Sequence, residues 1–375
     1  MLLSDTQTAI RDSVRAFAQS RILPESRAFE AAGGYPPTLF EELARLGLMG
    51  MTAPESFGGA ETDYVSYALS LIEIAAADGA LSTIISIQNS LIVSGLLKDG
   101  TAAQQQRFLP DLIAGRMVGA FALTETDAGS DASAIRTRAE KVEGGYRLNG
   151  AKQFITSGKI AGVTIVFAVT DPAAGKRGIS AFIVPTDRPG YIVDKVEHKL
   201  GQAASDTCAI RFEDLFIEDD LRLGAEGAGY GIALSNLEAG RIGIAAQCVG
   251  MAQAALDIAV AYAKDRKSFG KPIIEHQAVG FRLADLATRL EAARQFVLSA
   301  AALKDAGEPC LTQASMAKLF ASEASEAVVS GAIQTLGGYG YLEEFGIAKI
   351  YRDVRVCQIY EGTSDIQRMV IARAL

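Results

Sequence analysis

A glutamate standing in a loop directly before a helix can be held facing inward, and Glu361 occupies such a place. Tyr360-Glu361-Gly362-Thr363 leads into a segment where Thr363 or Ser364 can cap a helix. Asp365 falls in the first turn, and Ile366, Met369 and Val370 form an apolar face. Turned inward, the Glu361 carboxylate could move a proton; turned outward, it is an ordinary solvated turn residue. Glu238 and Arg241 lie at i and i+3 on one helix face and by themselves read as a surface ion pair. The stretch 121–131, FALTETDAGSD, passes from an apolar approach to hydroxyls and then to Ala128-Gly129-Ser130. Its hydroxyls and N–H groups can meet a planar heterocycle, or it is simply a hydroxyl-rich turn. Phe154 and Thr156, two apart in a β-rich run, share a strand face.

Other chemistries find little support. Cys208, Cys248, Cys310 and Cys357 are scattered without a CxxC pair, and His198 and His276 are the only histidines. Neither a metal site nor a disulfide framework is expected, and the cysteines should be buried thiols. The glycine cluster GAEGAGYG at 224–231 lacks the dinucleotide-binding spacing, and there is no nucleophile elbow or P-loop. With 36 Lys and Arg against 44 Asp and Glu, the net charge of -8 gives no general attraction to nucleic acid. Asp5, Arg11, Asp12 and Arg15 interrupt any signal-like apolar core, and the longest apolar run, Ala161–Val169, is about half a bilayer span. A cytoplasmic protein without membrane insertion is expected.

Three textures follow one another along the 375 residues. Residues 1–116 carry helical spacing, as in Ile10, Val14, Phe17 and Ile22, broken by Pro24, Pro36-Pro37 and Gly58-Gly59. Residues 117–225 hold short β-rich runs such as Thr164–Val169 and Ile179–Val184, with Asn149-Gly150 as a hairpin signal, predicting an antiparallel sheet domain. Residues 226–375 return to long helices, one reaching Tyr262, one over Glu275–Lys304 and one over Leu311–Leu336. Phe281, Ala284, Ala287, Leu290, Arg294 and Val297 mark the expected inner face of the second, and the helices should fold back as a four-helix bundle. The fold class is therefore mainly α with a central β domain.

Five segments carry a resemblance to one family: FALTETDAGSD at 121–131, KQFITSG at 152–158, RKSFGKPIIEHQ at 266–277, QTLGGYGY at 334–341 and QIYEGTSDIQR at 358–368. Together they resemble the acyl-CoA dehydrogenases, over the whole chain. The resemblance implies bound FAD, met by Phe121, Leu123, Thr124, Gly129, Ser130, Phe154, Ile155, Thr156, Thr363 and Asp365. It implies that Arg266, Ser268, Phe269, Gln277, Gln334, Gly337 and Gly338 reach the FAD of a neighbouring subunit, within a homotetramer built as a dimer of dimers. Ser130, Glu238, Arg241 and Gly362 become substrate contacts, with Glu238 toward the CoA moiety. Glu361 becomes the base for the α-proton while the flavin accepts the β-hydrogen as hydride, and the Glu361 N–H helps bind the thioester oxygen. Electron-transfer flavoprotein is the implied acceptor. Oxygen as acceptor, an unusual acyl thioester, or a flavin-binding scaffold without catalysis are the alternatives.

Several positions depart from the family pattern. Thr126 and Asp127 stand where Pro and a small residue are usual, Phe154 where Trp is usual, and Ala203 where an arginine is common. Some members carry the base immediately before the arginine matched by Arg241; here that position is Gly240, and Glu238 is rotated by about 200° from it. SIQNSL at 86–91 and LEAGRIGIAAQ at 237–247 resemble short-chain members, so a short straight or branched acyl-CoA is expected. Ser82 offers only a hydroxyl where glutaryl-CoA dehydrogenases place an arginine, which disfavours dicarboxylic thioesters.

Overall fold

The computed structural model describes residues 2–375 and has the expected order of helices, sheet and helices. Its first part contains α1 (Asp5–Phe17), α2 (Ser26–Ala32), α3 (Pro37–Arg45), α4 (Tyr64–Ala77), α5 (Gly79–Ile87), α6 (Ser94–Asp99) and α7 (Ala102–Ile113). Ser4 and Thr101 close capping boxes with Gln7 and Gln104, which fixes where α1 and α7 begin. A π-helical stretch at Gln88–Val93 joins α5 to α6. There the buried Gln88 amide bonds to Leu112 O, Met117 O and Gly119 N, while Asn89 bonds to Leu48 O, Ile85 O and Met51 N. Two of the residues in the SIQNSL motif thus staple the helix to its surroundings.

The middle part is an eight-stranded sheet of β1 (Gly119–Ala122), β2 (Arg138–Val142), β3 (Gly145–Thr156), β4 (Val163–Val169), β5 (Ile179–Pro185), β6 (Tyr191–Val196), β7 (Thr207–Glu218) and β8 (Arg222–Leu223). The sheet is mixed rather than purely antiparallel, because β1 pairs parallel to β4 and β2 touches β4 in parallel. Asn149-Gly150 is not the hairpin turn: both residues lie inside β3, and the β2–β3 reversal falls at Glu143-Gly144, where Gly144 takes φ 74°. Gly150 instead marks a register shift where a Cβ would stand 2.7 Å from Thr137 Cα, so the glycine permits close backbone approach.

The last part holds α8 (Gly229–Asp265), α9 (Gln277–Asp305), α10 (Leu311–Leu336), α11 (Ile347–Val354) and α12 (Ser364–Ala372). The fourth long partner of the bundle comes from the first part, since α4 packs on α8 and α9, while the nine-residue α12 lies on α10. One apolar core is therefore shared by the first and last parts, and a second fills the sheet and its covering helices. On α9 the buried stripe is Leu283, Leu286, Leu290, Ala293 and Val297, so Phe281, Ala284 and Ala287 face out. Phe281 is 65% exposed. The stretches 79–99 and 229–265 are long and apolar enough to span a bilayer by composition, but 89% and 67% of their apolar 18-residue windows are buried, as in core helices. All four cysteines are free and buried, and no group able to hold a metal occurs among the described residues.

Candidate active site

A glycine-lined face of α8 receives the side chains that meet at Glu361. Gly240, Gly243, Gln247 and Gly250 recur at three- and four-residue spacing. A Cβ at 240 would stand 2.1 Å from Glu361 Oε2, and one at 243 would stand 2.3 Å from Ser86 Oγ and 2.6 Å from Tyr67 Oη. The missing side chains let the Glu361 carboxylate rest on the helix backbone, with the Tyr67–Ser86 hydroxyl pair (3.3 Å) one turn further along.

Glu361 adopts φ 51° and Gly362 φ 92°, a left-handed pair that costs roughly 1 kcal/mol for the non-glycine member. The surroundings hold it there. Gln367 Nε2 donates to Glu361 O (3.3 Å) and Gly362 O (2.9 Å), and Lys318 Nζ donates to Gly362 O (2.8 Å). Thr363 caps α12 through Ile366 N, and Asp365 lies in its first turn. On the other side, Tyr360 donates to Gln247 Oε1, while Gln202 Nε2 donates to the Tyr360 hydroxyl (3.3 Å). Gln247 Nε2 continues the network to Thr83 Oγ1 and Gly79 O, both at 2.5 Å.

Both Glu361 carboxylate oxygens are buried and make no hydrogen bond. Burial pushes its pKa up to about 7, against the lowering pull of Lys318 and then Arg241. The group is thus poised between acid and base at neutral pH. Arg241 is itself buried, with Nη1 donating to Ser315 Oγ (3.4 Å) and Nε unpaired. Burial pulls its pKa down, opposed by Glu361 and Glu238. Glu238 turns elsewhere, accepting from Lys304 Nζ and Cys310 Sγ at 3.3 Å each. Ser82 is buried with its hydroxyl on Gly79 O (2.7 Å).

A second constellation lies at the sheet. Glu125 N and Ala128 O (3.0 Å) close a tight turn whose exposed tip is Thr126-Asp127, and Asp127 reaches Arg136. Gln153 N donates to Thr124 O (2.9 Å), tying the turn to β3. Lys152, wholly buried, donates to Leu123 O (3.0 Å) and Glu125 Oε1 (2.8 Å). Phe154 does not share a face with Thr156 as core: β3 shifts register between Lys152 and Ile155, Phe154 takes φ 60°, and its ring is 63% exposed. Ile155 is buried, Thr156 and Phe121 are half-buried, and Gly129 and Ser130 are exposed. Ala203 is an exposed loop residue beside Gln202.

Arg266, Gly337, Gly338 and Tyr339 line an open cavity of about 410 Å³. Arg266 sits 6.0 Å from the Tyr339 ring, and a Cβ at Gly337 or Gly338 would meet nothing within 4 Å. Ser268 is half-buried, Gln277 and Gln334 are exposed, and Phe269 is 94% exposed at φ 50°. The exposed Phe154 on β3, which Gln153 N ties to the turn carrying the exposed Gly129 and Ser130, suits a flat ring system, and a cation beside bare glycines suits a diphosphate. The residues present fit FAD. Reading the sequence missed Lys318, Gln367, Tyr67, Gln247 and Lys152. Lys318 left a trace there, as the one charge in the small-residue stripe Ala314, Ala317, Lys318, Ala321 of α10.

The chain matches three families over consecutive ranges: acyl-CoA dehydrogenase, N-terminal domain at 4–116, middle domain at 120–215 and C-terminal domain at 227–375. It is 45% identical over 375 residues to an acyl-CoA dehydrogenase of Bacillus subtilis, covering 100% of this chain and 99% of the relative. The butyryl-CoA dehydrogenase of Megasphaera elsdenii superposes with a TM-score of 0.97 at 40% identity, covering 100% and 99%. A chain from a structure described as the electron transferring flavoprotein of Acidaminococcus fermentans gives 0.98 at 40%, covering 100% and 98%.

Proposed function

Because this chain belongs to the acyl-CoA dehydrogenase family and is an FAD-dependent oxidoreductase, we propose that it converts a short acyl-CoA to the trans-2-enoyl-CoA with Glu361 as base. One observation supports this reading above the others: a buried carboxylate with both oxygens unbonded, lying against Gly240.

Removing hydrogen from a saturated thioester requires a base at the α-carbon, a polarised carbonyl and a sink at the β-carbon. FAD, when bound, would supply that sink as an acceptor for the β-hydrogen and its electron pair. Glu361 accepts the α-proton, and its elevated pKa matches the base to neutral pH. The Glu361 N–H orients the thioester oxygen. Arg241 keeps a positive charge close to the carboxylate, and Ser130 and Gly362 border the substrate. Glu238, joined to Lys304, lies toward the CoA end. Phe121, Leu123, Thr124, Gly129, Phe154, Ile155, Thr156, Thr363 and Asp365 hold the cofactor in the same chain. Arg266, Ser268, Phe269, Gln277, Gln334, Gly337 and Gly338 reach that of a neighbour in a homotetramer, a role to which the exposed Phe269 and the open cavity are suited.

A short substrate is supported by the likeness to a butyryl-CoA dehydrogenase, and an electron-transfer flavoprotein as acceptor by the flavoprotein-related neighbour. The test is an anaerobic screen in which acyl-CoA thioesters of graded length are mixed with the FAD-loaded protein and flavin bleaching is followed. Butyryl-CoA should bleach it fastest. A yellow protein bleached by no acyl-CoA would instead support a non-catalytic scaffold.

A further inference from the structure

Lys318 is 0% exposed on α10, among Ala314, Ser315, Ala317, Ala321 and Ser322. A buried cation ordinarily sits against a carboxylate, because desolvating it alone is costly. This one has no carboxylate within ion-pair distance among the described residues, and its ammonium donates to the neutral carbonyl of Gly362 (2.8 Å). Gln367 Nε2 shares that carbonyl (2.9 Å), so two donors from two helices converge on the residue after the proposed base. Glu361 is near enough to feel the charge, yet its oxygens are unbonded.

We propose that Lys318 is a positioning residue for the α-proton base. With Gln367 it clamps the Gly362 carbonyl, so that Glu361 keeps its left-handed backbone and its carboxylate stays on Gly240 with a cation nearby but out of bonding range. This inference rests on Glu361 being the base. The arrangement has a chemical logic: an ion pair would occupy the oxygens that must receive the proton, whereas a charge held back at the peptide favours the ionised form without occupying them. Burial pulls Lys318 below its ordinary pKa, while Cys248, Cys357 and Glu361 raise it and Arg241 lowers it. Lys318 is in turn the first influence opposing the effect of burial on Glu361, ahead of Arg241 on α8; the Tyr67 hydroxyl on α4 also faces the carboxylate.

The experiment measures exchange of the α-protons of butyryl-CoA in deuterated buffer, under anaerobic conditions, across pH, with bound-flavin absorbance read before the thioester is added as the check on assembly. In each exchange a Cα–H bond breaks, its proton passes to the Glu361 carboxylate and its electron pair stays with the thioester enolate; the carboxyl proton exchanges with solvent deuterium, and return of that deuteron forms Cα–D and regenerates the carboxylate. Wild type should be half-maximal near pH 7. Lys318→Met should move the midpoint up by about one unit, lowering exchange at pH 7 roughly fivefold and recovering it at higher pH. Lys318→Gln, which removes the charge but keeps a donor, should show the same shift with less loss at high pH. An unmoved midpoint in both, or failure of both to assemble with FAD, would overturn the proposal in favour of a purely architectural lysine. Glu361→Gln in the same assay separates the two readings, since exchange surviving there would refute the base itself.

Discussion

Gly240→Ala adds a single methyl at the most crowded point of the site. Its Cβ would stand 2.1 Å from Glu361 Oε2 and 2.9 Å from Cδ, whereas unstrained contact requires about 3.5 Å. The carboxylate must therefore withdraw by more than about 1 Å. A displacement of that size can cost ~10² in rate, so kcat with butyryl-CoA should fall about a hundredfold. Stability should move the other way. Position 240 is inside α8, where alanine is favoured over glycine by about 1 kcal/mol, and the clash falls on the end of a side chain rather than on backbone. Steady-state turnover, flavin content and the melting temperature, taken together, test this. A variant that keeps wild-type kcat would refute the placement of Glu361 on Gly240. One that loses activity only because it melts early would refute the argument for a local displacement.

Other perturbations have equally definite outcomes. Glu361→Gln should stabilise the protein increasingly as pH rises: the folded pKa is raised from 4.5 to about 7, so the cost of ionising the buried carboxylate is absent below 4.5, grows between the two values and is complete above 7. Thermal melts should show a gain at pH 8 on the order of 3 kcal/mol, less the desolvation of the new amide, and little gain near pH 4.5. Lys152→Met leaves Glu125 with only the Arg136 and Thr137 N–H groups; a loss of about 3–5 kcal/mol and weaker FAD retention on dilution are expected. Glutaryl-CoA should be turned over more slowly than butyryl-CoA, since Ser82 gives a distal carboxylate no cation; the reverse ratio of kcat/KM would refute that reasoning.

The helices were readable where local rules decide them. Leu311–Leu336 coincides with its expected bounds because Pro309 and Gly337 punctuate it and its inner stripe is periodic. What escaped depends on partners distant in sequence. Asn149-Gly150 has hairpin composition, yet β3 runs through it because Gly150 is needed for approach to Thr137. The inner face of α9 was misjudged at Phe281, since periodicity cannot distinguish a face packed in the chain from one left open. The parallel β1–β4 pairing is a long-range choice with no local signature. At the site, Glu361 and Gly240 were both legible from motifs, but their mutual contact was not. Lys318 and Gln367 were missed because a lysine and a glutamine on helices give no sign of carbonyls 44 and 5 residues away.

The assignment of Glu361 as base is tested most directly by anaerobic stopped-flow mixing of butyryl-CoA with the FAD-loaded wild type and Glu361→Gln across pH. The mechanism predicts bleaching in the wild type that falls as pH drops through about 7, as the carboxylate takes up its proton. In Glu361→Gln, with FAD still bound, the rate should be lower by at least ~10²–10⁴ at every pH. Bleaching by Glu361→Gln at the wild-type rate would contradict it.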